Sequence, residues 1–165
     1  MITLGIDPGT ARTGFGLVLG DDDVTAGAYG IIETSATESM PKRLARLFAE
    51  IGELMDAYRP TALAIEELFF ARNISTAMTV GQARGVVLLA AAIRGISVAE
   101  YKPAEVKQAV VGYGNADKRQ VQEMVRIVLK LDTVPYPDDA ADALAVALCH
   151  VQTSNFLRHL PEFSP

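Results

Sequence analysis

Four carboxylates in three well-separated stretches stand where their chemistry could be shared. Asp7 ends the apolar, β-branched run Ile2-Thr3-Leu4-Gly5-Ile6 and is followed at once by Pro8-Gly9, the pattern of a buried strand delivering an acid into a turn. Glu66 follows Ala62-Leu63-Ala64-Ile65 in the same way, and Asp139 and Asp142, three apart in an otherwise apolar run, share one helical face. Asp7 by itself could equally cap its own turn; acids arriving from three segments favour a common site. Carboxylates so gathered raise one another's pKa unless cations neutralise them. An oxygen-only donor set without His or Cys selects Mg²⁺ or Mn²⁺, and a pair of such ions about 3.5 to 4 Å apart is a device for in-line phosphoryl displacement.

Two of the four places have a competing neighbour. Side chains alternate along a strand, so only one of Glu66 and Glu67 can face the site. Glu66 is favoured because Glu67 runs into the apolar Leu68-Phe69-Phe70, which starts a loop. Asp138 is placed as an N-cap, which leaves Asp139 for the inward face. The paired Phe69 and Phe70, with Ala71, Arg72 and Asn73 after them, form an unusual loop in which one ring could stack on an unpaired base or wedge into a distorted duplex.

The elements that must carry these residues are legible in outline. Strands are expected at Ile2–Asp7, Gly14–Leu19 and Val24–Glu33, an antiparallel meander with Asp21-Asp22-Asp23 as a solvated turn. Apolar residues from Leu44 to Met55 recur at three-and-four spacing after Pro41, predicting a helix over 41–58 that covers the sheet. Further strands are expected at 62–65 and 96–100, and helices at 74–94, 103–111, 117–129 and 138–148. A strand, a crossover helix and a second strand ending on an acid give an α/β fold with its site beyond the strand ends. Residues 1–151 form the domain and 152–165, without periodicity, a frayed tail. The helix over 74–94 is small and apolar all round, which asks for cover on both faces, by the sheet and by a second copy of the chain. The turn at Gly9 and Gly14 would let a phosphate backbone approach closely, with Arg12 near enough to meet a phosphate.

Composition bounds the rest. The chain has 165 residues, half of them hydrophobic, one cysteine (Cys149) and a net charge of −5. This is enough for a single core without staples. Cys149 cannot form an internal disulfide and suits a reducing compartment; no apolar run approaches membrane-spanning length, so a cytoplasmic protein with no membrane partner is expected. The acidity is uneven. Residues 71–130 hold nine Lys and Arg against four acids, so a basic face for a phosphate backbone can coexist with an acidic site for metal.

The segments GIDPGTARTGFG, AIEELFFARN, GQARG, VKQAVVGYGNADKRQVQ and PDDAADALA together make the chain resemble the RuvC-type Holliday junction resolvases of the RNase H-like superfamily, up to about His150. The resemblance implies an RNase H-like five-stranded mixed sheet, three strands in an antiparallel meander and two parallel, flanked by helices. It also implies a homodimer formed through the Ile74–Arg94 helix region, Mg²⁺ dependence, a four-way DNA junction as substrate, and a branch-migration motor complex of the RuvA and RuvB type as partner. Carried over by position, the acidic tetrad falls on Asp7, Glu66, Asp139 and Asp142, the junction-facing aromatic on Phe69, and the basic site residues on Lys107 and Lys118; Arg72 and Arg12 are further candidates for DNA contact. Asp7 is then shared by two Mg²⁺ ions, replaceable by Mn²⁺, Glu66 holds one of them, and Asp142 with Asp139 holds the other. The DPGT turn also resembles the first phosphate loop of actin-like ATPases and sugar kinases, but those folds need a second such domain.

Overall fold

Strand alternation divides the side chains of the first strand into two sets, and that division decides where its acid points. In the computed structural model, which describes residues 1–67 and 74–159, β1 (Ile2–Asp7) sends Leu4 and Ile6 into a core with Leu17, Leu63 and Ile65. Thr3, Gly5 and Asp7 therefore face the opposite side. β2 (Arg12–Leu19) and β3 (Thr25–Glu33) complete an antiparallel meander, β4 (Ala62–Glu66) runs parallel to β1, and β5 (Ser97–Tyr101) runs parallel to β4. The sheet order is β3-β2-β1-β4-β5, the five-stranded mixed sheet expected of the RNase H-like fold. β2 begins at Arg12 rather than Gly14, because Thr13 Oγ1 donates to the Gly9 carbonyl at 2.6 Å and tightens the turn.

Two helices cover the Leu4 face. α1 (Met40–Tyr58) buries Leu47, Ile51 and Met55 there, and α2 (Ile74–Ile93) buries Ala83, Val87, Ala90 and Ala91. The small residues of α2 let it lie close to the sheet and to α1, and Arg94 fastens its end by donating to both carboxylate oxygens of Asp56, at 2.7 and 2.9 Å. Its outer side leaves Met78, Leu89 and Ile93 exposed.

The Gly5 face is covered by α3 (Pro103–Val111), α4 (Lys118–Val128) and α5 (Asp138–His159). Asp117 starts α4 with a reciprocal capping box: its carboxylate accepts from Gln120 N and the Gln120 side chain accepts from Asp117 N, both at 2.9 Å. α5 is apolar on all sides over its first half because the sheet lies on one side and α3 and α4 on the other. It reaches the sheet through missing side chains: a Cβ on Gly5 would overlap the Ala143 carbonyl oxygen, and one on Gly14 would overlap the Asp139 carbonyl oxygen. The space a side chain would take at Gly14 is filled by the α5 backbone, and at Gly9 by the Arg12 carbonyl.

The expected frayed tail from residue 152 gives way to helix as far as His159. Apolar periodicity is replaced there by polar ties to the β2–β3 turn. Asn155 Nδ2 donates to the Asp21 carbonyl at 2.6 Å, and the Asp21 carboxylate pairs with Arg158 at 3.2 Å and with the chain's own amino terminus at 2.9 Å. Residues 160–165 lie outside the described residues. Cys149 is a core residue whose thiol burial pushes up to about 11, so it has little nucleophilic character. No helix among the described residues is long and apolar enough to cross a membrane.

Candidate active site

The parallel register Ile6↔Ile65 puts the next residues of the two strands, Asp7 and Glu66, side by side where β1 and β4 end. Both belong to the face that α5 covers, since Leu63 and Ile65 point the other way. α5 begins over these strand ends and adds Asp142. Asp7, Glu66 and Asp142 line one cleft of about 280 Å³, with Lys107 of α3 and Lys118 of α4 on its far wall. Three elements remote in sequence therefore bring their acids to one place, as the strand-end and helix-face patterns predict.

The electrostatics show what this convergence costs. Burial, reinforced by the charges of Asp142, Glu66 and Asp139 and opposed by Lys118, pushes Asp7 from the ordinary 3.8 up to about 7. Glu66 is raised by burial and then by Asp142, with Lys107 opposing. Lys118 Nζ lies 2.9 Å from Asp142 and 3.3 Å from Asp138. Burial nevertheless keeps the Asp142 carboxyl above its usual range, helped by Asp138 and Asp139, because together they outweigh the lysine. For Lys118 burial works downward, but its hydrogen bonds and proximity to Asp142 and Asp138 leave it raised. The cleft is thus short of positive charge.

Asp139 and Asp138 take different directions. The Asp139 side chain is 32 % exposed, lies 4.0 Å from Arg12 Nη1, and contributes to the raised pKa of Asp7. Asp138, 62 % exposed, opens the helix with its carboxylate on Lys118. Of the doubled pair it is Asp139 whose charge reaches Asp7. Arg12 sits at the rim between Asp139 and Glu33, 3.4 Å from the latter, so its charge is already partly answered.

The donor set is chemically suited to a hard divalent cation: the acids lining the cleft offer only oxygen, and no His or Cys lines it. The carboxylates converge without being gathered, and among the described residues no three His, Cys, Asp or Glu side chains form a ready cage for an ion. Lys118 holds Asp142 from one side of the cleft. Phe69, Phe70 and Arg72 lie outside the described residues.

Sequence reasoning overlooked the docking role of Gly5 and Gly14 and the place of Arg84. Gly5 and Gly14 fix how closely α5 docks, and so where Asp139 and Asp142 arrive. Arg84, counted there as part of a basic face, is instead buried beneath Glu66. The signal for Arg84 was a single charge in the small, apolar run GQARGVVLLAAA. Much of the rest of that basic segment is also neutralised within the fold: Arg94 by Asp56, Arg126 by Glu123 and Lys130 by Asp23.

Residues 3–150 match the profile of the family described as crossover junction endodeoxyribonuclease RuvC. The chain belongs to the RuvC family. A RuvC crossover junction endodeoxyribonuclease of Heliobacterium modesticaldum is 58 % identical over 150 residues, covering 90 % of this chain and 93 % of that one. Its counterpart in a Roseiflexus species is 56 % identical over 161 residues, 97 % of this chain and 96 % of the relative. The solved structure of Thermus thermophilus RuvC in complex with a Holliday junction substrate superposes with a TM-score of 0.91 at 39 % identity, over 94 % of this chain and 96 % of that one. The family match thus takes in the sheet from Thr3 onward and every residue lining the cleft.

Proposed function

We propose that this protein is a structure-selective endonuclease that cuts four-way DNA junctions by metal-dependent phosphodiester hydrolysis. The observation that carries the reading is the delivery of Asp7, Glu66 and Asp142, from β1, β4 and α5, into one cleft walled by Lys107 and Lys118. Its membership of a family of crossover junction endodeoxyribonucleases supports the substrate, as does its likeness to a relative solved with a Holliday junction.

Asp7, Glu66, Asp139 and Asp142 would hold two Mg²⁺ ions, for which Mn²⁺ could substitute. When bound, such ions supply a water of lowered pKa and neutralise charge on the leaving oxygen. The chain's own part is to aim the acids, to exclude bulk water from the buried side of the cleft, and to place Lys107 and Lys118 where negative charge grows on the phosphate. The products are a 5′-phosphate and a 3′-hydroxyl, and the setting is homologous recombination and DNA repair in the cytoplasm. Paired cuts need two sites, and the exposed Met78, Leu89 and Ile93 on α2 support a homodimer formed through the Ile74–Arg94 region. Phe69 and Arg72 are assigned to the junction, with Arg12 at the rim of the cleft, and a branch-migration motor of the RuvA and RuvB type supplies the substrate.

A synthetic four-way junction and a duplex of matched sequence, each incubated with and without Mg²⁺, test this directly. Symmetric nicks in the junction alone, and only with the metal, are expected; equal cutting of the duplex would refute junction selectivity. Lys107→Ala and Lys118→Ala should each lower single-turnover cleavage by about 10²-fold. Each should also reduce the salt slope of junction binding by about one. Unchanged rates and slopes in both variants would remove the lysines from the site.

A further inference from the structure

Among the described residues, Arg84 is the one charged residue that the fold buries, with 8 % exposure. A helix packing small apolar residues against a sheet needs no charge for that purpose, and taking a guanidinium out of water costs several kcal/mol unless its donors are answered. They are answered at the end of β4. Nη1 donates to the main-chain carbonyl of Glu66 at 2.6 Å, and Nη2 donates to the Glu100 carboxylate of β5.

The parallel ladder between β4 and β5 finishes at this point, with the pair Glu66↔Tyr101 and the bond from Glu67 N to the Tyr101 carbonyl at 2.7 Å. The Glu66 carbonyl and the Glu67 N–H belong to one peptide unit, so the Tyr101 carbonyl holds one edge of that peptide and Arg84 holds the other. By holding the Glu66 carbonyl, Arg84 sets the direction in which the Glu66 Cα–Cβ bond enters the cleft. The charged donor makes this bond stronger than a neutral one, and Glu100 keeps the planar fork from rotating away.

We infer that Arg84 is a positioning residue for Glu66, aiming the carboxylate from α2 with Glu100 as its anchor. This rests on the reading of Glu66 as a metal-holding acid. It also makes α2 the element that connects an outward apolar face, bearing Leu89 and Ile93, to the geometry of the cleft.

Arg84→Lys keeps the charge and most of the stem, but a single ammonium cannot reproduce the two-pronged hold. Three readouts are needed: Mn²⁺ binding to the DNA-free protein by electron paramagnetic resonance, junction binding without metal, and single-turnover cleavage across a Mg²⁺ titration. The Mn²⁺ dissociation constant should rise about tenfold and cleavage should fall about ten- to hundredfold. Metal-free junction binding should stay at the parental value while the melting temperature falls by only a few degrees. Parental Mn²⁺ affinity and cleavage would overturn the inference, and so would a loss of junction binding and melting temperature in step with cleavage. If Arg84→Lys does not fold, Glu100→Gln, altered on the half-exposed side of the pair, decides: about threefold weaker Mn²⁺ binding supports the anchor and parental binding overturns it. A parent protein that cuts no junction would sink the nuclease reading, while the Mn²⁺ arm would still report on Arg84.

Discussion

Asp7→Asn is expected to abolish cleavage, by about 10³-fold or more, and at the same time to stabilise the metal-free protein above neutral pH. The two effects have one cause. Asp7 lies deepest among the acids, and its rise from 3.8 to about 7 means that the fold resists its charge. At about 1.4 kcal/mol per pH unit, the unfavourable charge is on the order of 4 kcal/mol once Asp7 is fully ionised. The sign follows from proton counting. Between pH 4 and pH 7 the native state holds a proton on Asp7 that the unfolded chain has lost, so metal-free stability falls as pH rises through that window and levels off above it. Asn carries no such dependence.

Urea unfolding of both proteins in a chelator, at pH 5 and pH 8, measures the difference, which should be small at the lower pH and of kilocalorie size at the higher. Added Mg²⁺ should stabilise the parent more at pH 8 than at pH 5, because below about 7 the ion must displace a proton. A flat pH profile for the parent would contradict the electrostatic account of the cleft. Retained cleavage by Asp7→Asn would contradict the assignment of the site.

The second large effect concerns a residue with no functional group. Gly5→Ala adds a Cβ where the Ala143 carbonyl oxygen already lies, with the Ala147 Cβ only 2.9 Å away. Neither obstacle is the free end of a flexible side chain, so α5 must shift as a body, and a loss of about 3 kcal/mol or more is expected. Gly14→Ala meets the backbone of Asp139 itself and should lower cleavage by more than its cost in stability predicts. Gly85→Ala supplies the contrast: nothing stands within 4 Å of its Cβ, and in mid-helix the change should stabilise by about 1 kcal/mol. Denaturant midpoints at unchanged m-values for the three variants test the ordering.

What could be read from the sequence was whatever one segment declares by itself. An apolar run ending on Asp7 and another ending on Glu66 announce strand ends, and Asp139 with Asp142 announces a helix face. The meander followed from its two short turns, while the three-plus-two mixed sheet was what the family resemblance implied. What stayed hidden depends on contacts between distant segments. No local pattern says that Gly5 accommodates residue 143, that Lys118 holds Asp142, or that Arg84 reaches under Glu66. The last turns of α5 were hidden for a different reason: they are held by polar ties to Asp21, and periodicity reports only apolar burial.

The docking of α5 also orders events in time. The ribosome makes Asp7 and Glu66 well before Asp142, and the helix that carries Asp142 docks directly on the Gly5 face of the sheet. Residues before 138 supply all five strands and two of the acids, but without α5 the cleft lacks its Asp142 wall and the Gly5 face lacks the helix that docks on Gly5 and Gly14. Assembly of the site is thereby deferred until residues 138–142 have been made, so that a product cut short before them is left without the acids of the last helix.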